Sequence, residues 1–179
     1  METIDTQRLT LRPWQISDAE ALFKYASHPD VGPRAGWPPH KSIEESREII
    51  RSIFSNNATW AITLKSTGEA IGCIGYYTQA TSNIAIGPND AEIGYWIGQP
   101  HWNQGYCTEA LSALVAYCLA SKHFDSLWCD HFVDNPASGR VMEKCGFTDT
   151  GRINHSSRLA HCQDRPIRIM RLTEPSKIQ

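Results

Sequence analysis

Residues 91–111, AEIGYWIGQPHWNQGYCTEAL, decide how the rest of the chain is read. Residues 92–97 read as a strand. A loop containing Gly98 and Gly105 follows, and a helix starts near Gly105. The helix is marked by Cys107, Leu111, Leu114, Val115 and Cys118, which recur at helical spacing as one apolar stripe. A strand that passes through a glycine-containing loop straight into a helix leaves the first helical N–H groups without acceptors. They converge on one point, where the helix dipole adds partial positive charge. The loop is therefore expected to hold an anion such as a pyrophosphate with backbone alone, Gly105 allowing close approach. Gly94 and Gly98 are expected to leave one side of the strand bare for a ligand to lie along. The loop by itself fits an ordinary connection with nothing bound equally well, because short glycine motifs are weak signals.

Working outward, residues 8–14 alternate as a first strand ended by Pro13. Ser17 and Glu20 form an S-x-x-E capping box that predicts a helix to about Ser27, and Ser42 with Glu45 repeats the device for a second helix. The Pro/Gly-rich residues 29–39 between them read as a loop. Residues 59–65 and 70–78, separated by Ser66-Thr67-Gly68-Glu69, read as an antiparallel hairpin. A polar loop spans residues 79–90. After the long helix comes a strand at 127–133. A further helix then has Asn135 as N-cap, Pro136 at its first position and Gly146 as C-cap. Two strands, 147–153 and 166–172, close the chain. The order predicts a mixed α/β sheet with helices on both faces.

Composition bounds the function. The 179 residues are 41% hydrophobic and 20% charged, which suits one domain over residues 1–179, with its core at about 6–172, and excludes a disordered or fibrous chain. Seventeen Lys+Arg against 19 Asp+Glu give a formal charge of −2, unlike a general nucleic-acid binder. No apolar run approaches the ~20 residues of a membrane span, and the N-terminus lacks a signal-peptide core, so a soluble, cytoplasmic protein is expected. Cys73, Cys107, Cys118, Cys129, Cys145 and Cys162 contain no C-x-x-C pair and read as reduced thiols. His101, His123, His131, His155 and His161 show no ligand spacing, and no metal is expected.

A second motif, residues 135–147, NPASGRVMEKCGF, tips the reading. Together with residues 91–111, the opening TQRLTLRP (6–13) and DAEAL (18–22), it resembles the GCN5-related N-acetyltransferase (GNAT) superfamily. Specifically it is similar to the branch of ribosomal-protein N-terminal (alanine/serine) acetyltransferases. The motifs run in order from about Thr6 to Leu172. The resemblance implies a mostly antiparallel mixed sheet with a splayed central strand pair, and transfer of an acetyl group from acetyl-CoA to a primary amine. It also implies site residues. The loop with Asn103, Gln104, Gly105, Tyr106, Cys107 and Thr108 would bind the pyrophosphate through N–H groups. The strand with Trp96, Ile97 and Gly98 would pair with the pantetheine arm, and Asn135 and Ser138 would lie near the thiol. The branch usually carries Gly and Ala where this chain has Asn103 and Cys107. Asn103 suits the loop if its dihedrals allow, and Cys107 reads as core.

Two residues are candidate catalysts. Ser138 is placed to protonate a departing thiolate, or else makes a local helix-start bond. Glu92, on the strand where histone acetyltransferases of the superfamily use a Glu, reads either as an amine-deprotonating base or as a structural carboxylate. Arg140 and Lys144 suit a nucleotide phosphate or, preferably, a solvated face with Glu143. Residues 29–39, with Trp37 foremost, and residues 155–165 are expected to border the acceptor. The favoured acceptor is a peptide or protein α-amine, taken by direct attack with no acyl-enzyme. A small amine (polyamine, amino acid or antibiotic) and a non-catalytic acyl-CoA-binding module are the alternatives. A monomer or homodimer is expected, with no nucleic-acid or membrane partner.

Overall fold

The computed structural model describes residues 1–122, 124–156 and 164–173. His123, His161 and Cys162, and residues 157–163 of the predicted acceptor loop, lie outside them. The strands are β1 (Ile4–Asp5), β2 (Leu9–Pro13), β3 (Thr59–Leu64), β4 (Ala70–Thr78), β5 (Asp90–Ile97), β6 (Ser126–Phe132), β7 (Thr148–His155) and β8 (Pro166–Thr173). The helices are α1 (Ala19–Ala26), α2 (Gly32–Ala35), α3 (Ile43–Ser52), α4 (Tyr106–Tyr117) and α5 (Pro136–Lys144). The eight strands form one sheet in the order β1-β2-β3-β4-β5-β6-β8-β7. Every neighbouring pair is antiparallel except β5 and β6, which are parallel.

The sheet has two differently covered faces. Leu9, Leu11, Trp60, Ile62, Ile93 and Cys129 point to the face packed by α4 and α5, where Leu111, Leu114 and Met142 complete the main core. On the opposite face Ala61, Ala70 and Cys73 pack with Leu22 of α1 and Ile50 of α3. The alternation of small and large residues in β3 and β4 follows from this, since both sides of these central strands are buried.

Local signals held where the partners are close in sequence. Ser42 caps α3 by accepting the Glu45 N–H at 3.0 Å, and Glu45 reaches back to the Lys41 N–H. Gly68, at φ +74°, closes the β3–β4 hairpin. Gly146, at φ +91°, ends α5, with its N–H on Glu143 O and that of Phe147 on Met142 O.

Three local expectations are corrected. The box before α1 is built by Gln15 and Asp18, not Ser17 and Glu20. Asp18 accepts the Gln15 N–H at 2.9 Å and is itself clamped by both terminal nitrogens of Arg12. Asn135 stands at the N-cap of α5 but makes no capping bond. Its side-chain amide instead donates to Arg34 O at 3.4 Å. Residues 29–39 contain the helical turn α2, ended by Gly36 at φ +94°. No helix of the described residues is long and apolar enough to cross a membrane.

Candidate active site

The site begins where the parallel pair parts. β5 and β6 are in register only from Asp90–Ser126 to Glu92–Trp128, while on its other side β5 stays paired with β4 as far as Ile97. The far half of β5 therefore faces a gap. Gly98 donates its N–H to Ile71 O at 2.8 Å, on the β4 side. Strand alternation then turns the backbone groups of Tyr95 and Ile97 the opposite way, into the gap. The Ile97 carbonyl is used there by the Trp102 indole N–H at 2.7 Å. The Tyr95 hydroxyl spans the opening and lies 3.0 Å from both the carbonyl and the Oγ of Ser138 on α5. Burial raises the Tyr95 phenol well above its ordinary pKa, so it stays a neutral donor.

On the α4–α5 face a cavity of about 590 Å³ opens beside this gap. Its floor is the start of α4. Gly105, at φ +80°, occupies the N-cap with no side-chain capping bond, and the first N–H turned back into the helix is that of Glu109, onto Gly105 O at 3.0 Å. The N–H groups of Tyr106, Cys107 and Thr108 precede it and have no intrahelical acceptor. Asn103 is at φ +59°, a left-handed conformation that Asn tolerates better than most residues, which explains how it stands where the family pattern has Gly. The loop is braced from β2's approach. Arg8 donates to Gln104 O at 2.9 Å and to Glu109 at 2.7 Å, and stacks on the Tyr106 ring at 4.4 Å. Thr6 also donates to Glu109, at 2.6 Å.

Of the residues predicted to hold the donor, Trp96, Ile97, Asn103, Gly105, Tyr106, Cys107, Thr108, Asn135 and Ser138 all line this cavity. Gly98 and Gln104 do not. Gln104 turns its side chain onto Pro100 O and its carbonyl onto Arg8. The expectation of a bare strand side at Gly94 and Gly98 is corrected at Gly98, whereas Gly94 lines a cavity on the α1–α3 face. A Cβ on Gly98 would sit 2.5 Å from the Tyr25 ring, and one on Gly94 3.2 Å from the Tyr77 ring, so the absent side chains make room for aromatic rings of this chain. Exposed Arg140 and Lys144 line the cavity as well. Burial drives the Cys107 thiol upward, which keeps it protonated and matches its place against the core.

A second cavity, of about 390 Å³, lies on the α1–α3 face. Trp37 and Trp96, ring centroids 5.5 Å apart at 68°, form part of its wall, with Tyr77. Glu92 and Asp130, from the two parted strands, form its floor. Glu92 is 4% exposed and fully engaged. Its Oε2 accepts from Ser82 Oγ and the Asn83 N–H, both at 2.6 Å, and its Oε1 from the Asn83 amide at 3.4 Å. Asp130 is hydrogen-bonded to Glu92, and burial together with the neighbouring Glu92 charge pushes its carboxyl up to about 7. The two cavities share Arg34, Ala35, Tyr95, Trp96 and Ser138, so they meet at the gap in the sheet. Asp130 and the hydroxyl of Tyr95 are the residues that sequence reasoning missed. The signal for Asp130 was its even spacing from Trp128, which puts both on one face, but its partnership with Glu92 needs the β5–β6 register. Among the described residues no three His, Cys, Asp or Glu side chains come together to hold a metal ion.

Comparison with known proteins agrees with this geometry. Residues 8–148 match the acetyltransferase (GNAT) domain family. The chain is 32% identical over 153 residues to an uncharacterized N-acetyltransferase of Bacillus subtilis, YoaA, covering 83% of this chain and 84% of that one. It is 34% identical over 132 residues to the ribosomal-protein-serine acetyltransferase of Escherichia coli, covering 72% and 71% respectively. Its fold superposes on a GNAT-family acetyltransferase of Bacillus anthracis with a TM-score of 0.82 at 21% identity, over 96% of this chain and 98% of the other. With a sheet parted at β5–β6, an uncapped helix start beside the gap and this match over most of its length, the chain belongs to the GNAT family and is an N-acetyltransferase.

Proposed function

We propose that the protein transfers the acetyl group of acetyl-CoA, the family's donor, to the α-amine of a peptide or protein N-terminus. The observation that carries this reading is the meeting of two cavities, one on each face of the sheet, at Tyr95, Trp96 and Ser138. A donor laid along the α4–α5 face has its diphosphate matched by the N–H groups of Tyr106, Cys107 and Thr108. Its thioester then reaches the gap, where the acceptor arrives from the other side. The N–H groups of Tyr95 and Ile97 face the gap and are placed to stabilise charge developing on the carbonyl oxygen. Ser138 and Tyr95, hydrogen-bonded to each other, supply hydroxyls for the leaving sulfur. Holding both substrates in one passage makes direct attack the simplest route, and proximity supplies much of the rate. Cys107, half-buried and with its thiol pushed towards the protonated form, does not serve as an acyl carrier.

The α-amine reading draws on the relative from Escherichia coli named for ribosomal-protein-serine acetylation. A second reading, a small free amine, is favoured by one observation: the acceptor cavity, about 390 Å³, is in the size range of small-molecule pockets. The test is thiol release from acetyl-CoA in a competition between N-terminal peptides and free amines at equal concentration, with products identified by mass spectrometry. An acetylated peptide N-terminus as the main product supports the proposal. Acetylation of a free amine with no peptide product replaces it with the second reading.

A further inference from the structure

We infer that Asp130, on β6, is the group that takes the proton from the acceptor's ammonium, and that Glu92 is its positioning residue. This rests on the amine-transfer reading above. Asp130 lies on the floor of the acceptor cavity, in the half of β6 that has parted from β5, beside the passage marked by Tyr95 and Ser138. Glu92 is the more obvious carboxylate, but its oxygens are occupied by Ser82 and Asn83. With three donors already on Glu92, Asp130 is the carboxyl on the cavity floor left to meet the acceptor.

The surroundings of Asp130 leave Glu92 as the charge that acts on it. β5 presents Glu92 and the neutral Tyr95 phenol. From β4 come Cys73 and Tyr77, both pushed up to about 12 and so uncharged near neutral pH. Arg34 of α2 and His40 line the cavity's outer wall, the His40 imidazole being lowered by burial. On β8, Ile169 lies opposite Asp130, and the adjacent Arg168 is paired with Asp149. His131, the next residue, turns its ring against Gly139 of α5 while also lining the cavity.

The balance of the step is simple. The acceptor ammonium gives one proton to the Asp130 carboxylate and becomes a neutral amine. Its lone pair forms the N–C bond to the acetyl carbonyl carbon as the C–S bond breaks, with the bonding pair leaving on sulfur. The nitrogen's second proton passes to that sulfur through the Ser138–Tyr95 hydroxyls, giving the free thiol. Asp130 then releases its proton to water. A carboxyl raised above its ordinary range takes a proton from an ammonium more readily than an ordinary carboxylate does, and the less basic peptide α-amine gives it up more easily than a lysine-type amine.

The test measures kcat/KM against pH for wild type, D130N and E92Q, using two acceptors whose amines differ in pKa. Wild type is expected to rise through a limb near 7 that is the same for both acceptors. D130N should lose roughly fivefold at pH 6.5 on a peptide α-amine and far more on a more basic amine, its limb should follow the pKa of whichever acceptor is used, and its rate should recover towards wild type at high pH. E92Q should shift the wild-type limb to lower pH, because the neighbouring charge is gone. An independent readout on the free protein is carboxyl titration by carbon-13 NMR, where a signal titrating near 7 should vanish in D130N. Acetyl-CoA affinity by calorimetry and the melting curve check that each variant is folded. A D130N enzyme that keeps the acceptor-independent limb, or one that keeps the wild-type rate at pH 6.5, overturns the inference. If only a small free amine is turned over, the α-amine reading fails, and the same pH series on that amine still decides the role of Asp130.

Discussion

The cavities on the two faces of the sheet are built by different means. On the α4–α5 side the floor is backbone contiguous in sequence, the parted end of β5, the loop and the first turn of α4 within residues 93–108, with α2 and α5 closing the walls. The α1–α3 side is built from side chains of distant segments. Trp37 comes from the loop after α2, Tyr77 from β4, Glu92 from β5 and Asp130 from β6. A backbone cradle recognises a group that every donor molecule carries and tolerates most side-chain changes. A side-chain cavity defines which acceptor enters and changes with single substitutions.

Four substitutions test this division. The largest effect is expected from Gly105→Val. A β-branched residue at φ +80° is strained, and its Cβ would stand 3.3 Å from the Arg8 guanidinium. Acetyl-CoA affinity should fall at least about tenfold, or ~1.4 kcal/mol, in calorimetric titration. Unchanged affinity in a folded variant would break the backbone-cradle account. Ser138→Ala should lower kcat about tenfold while moving the acetyl-CoA KM little, because the hydroxyl matters as charge develops on sulfur. Steady-state kinetics showing unchanged kcat would reduce Ser138 to a helix-start residue. Trp37→Ala should raise the acceptor KM by a few fold, with donor affinity measured by calorimetry unchanged. An equal loss on both sides would show the two cavities acting as one.

The smallest effect is a matter of sign. Asp130 titrates near 7 when folded and near 3.8 in its ordinary state, so the folded form is penalised progressively as pH rises between these values. Asp130→Asn should therefore raise the melting temperature relative to wild type, and by more at pH 8 than at pH 5. A constant difference across that range would mean that Asp130 is not held in its protonated form.

The same division governs what the sequence disclosed. The strand, the loop, the start of α4 and the capping of α3 depend on residues within about one helical turn of each other, and they were legible. So was the suitability of Asn103, since a left-handed position selects Gly or Asn whatever surrounds it. Gly98, just past β5, was misread because its cause is remote. Gly98 accommodates Tyr25, and Gly94 accommodates Tyr77, partners that only the folded sheet brings near. The box before α1 was misread for a subtler reason. Two overlapping patterns compete there, and the Arg12 guanidinium, from the preceding strand, favours Asp18 over Glu20. Asp130 was invisible because a parallel pairing between strands 36 residues apart in register (Glu92 with Trp128) has no local mark.

The brace formed by Thr6 and Arg8 ties the chain's beginning to the helix start a hundred residues later. Binding at that helix start and retention of the N-terminal strand are then coupled through one set of contacts, and coupling of this kind is reciprocal. A protease that trims the first strand samples only molecules in which it has let go. Saturating acetyl-CoA should slow that trimming, and a chain shortened past Arg8 should bind the donor more weakly. Cleavage near the N-terminus thus becomes a gauge of occupancy at the far side of the sheet.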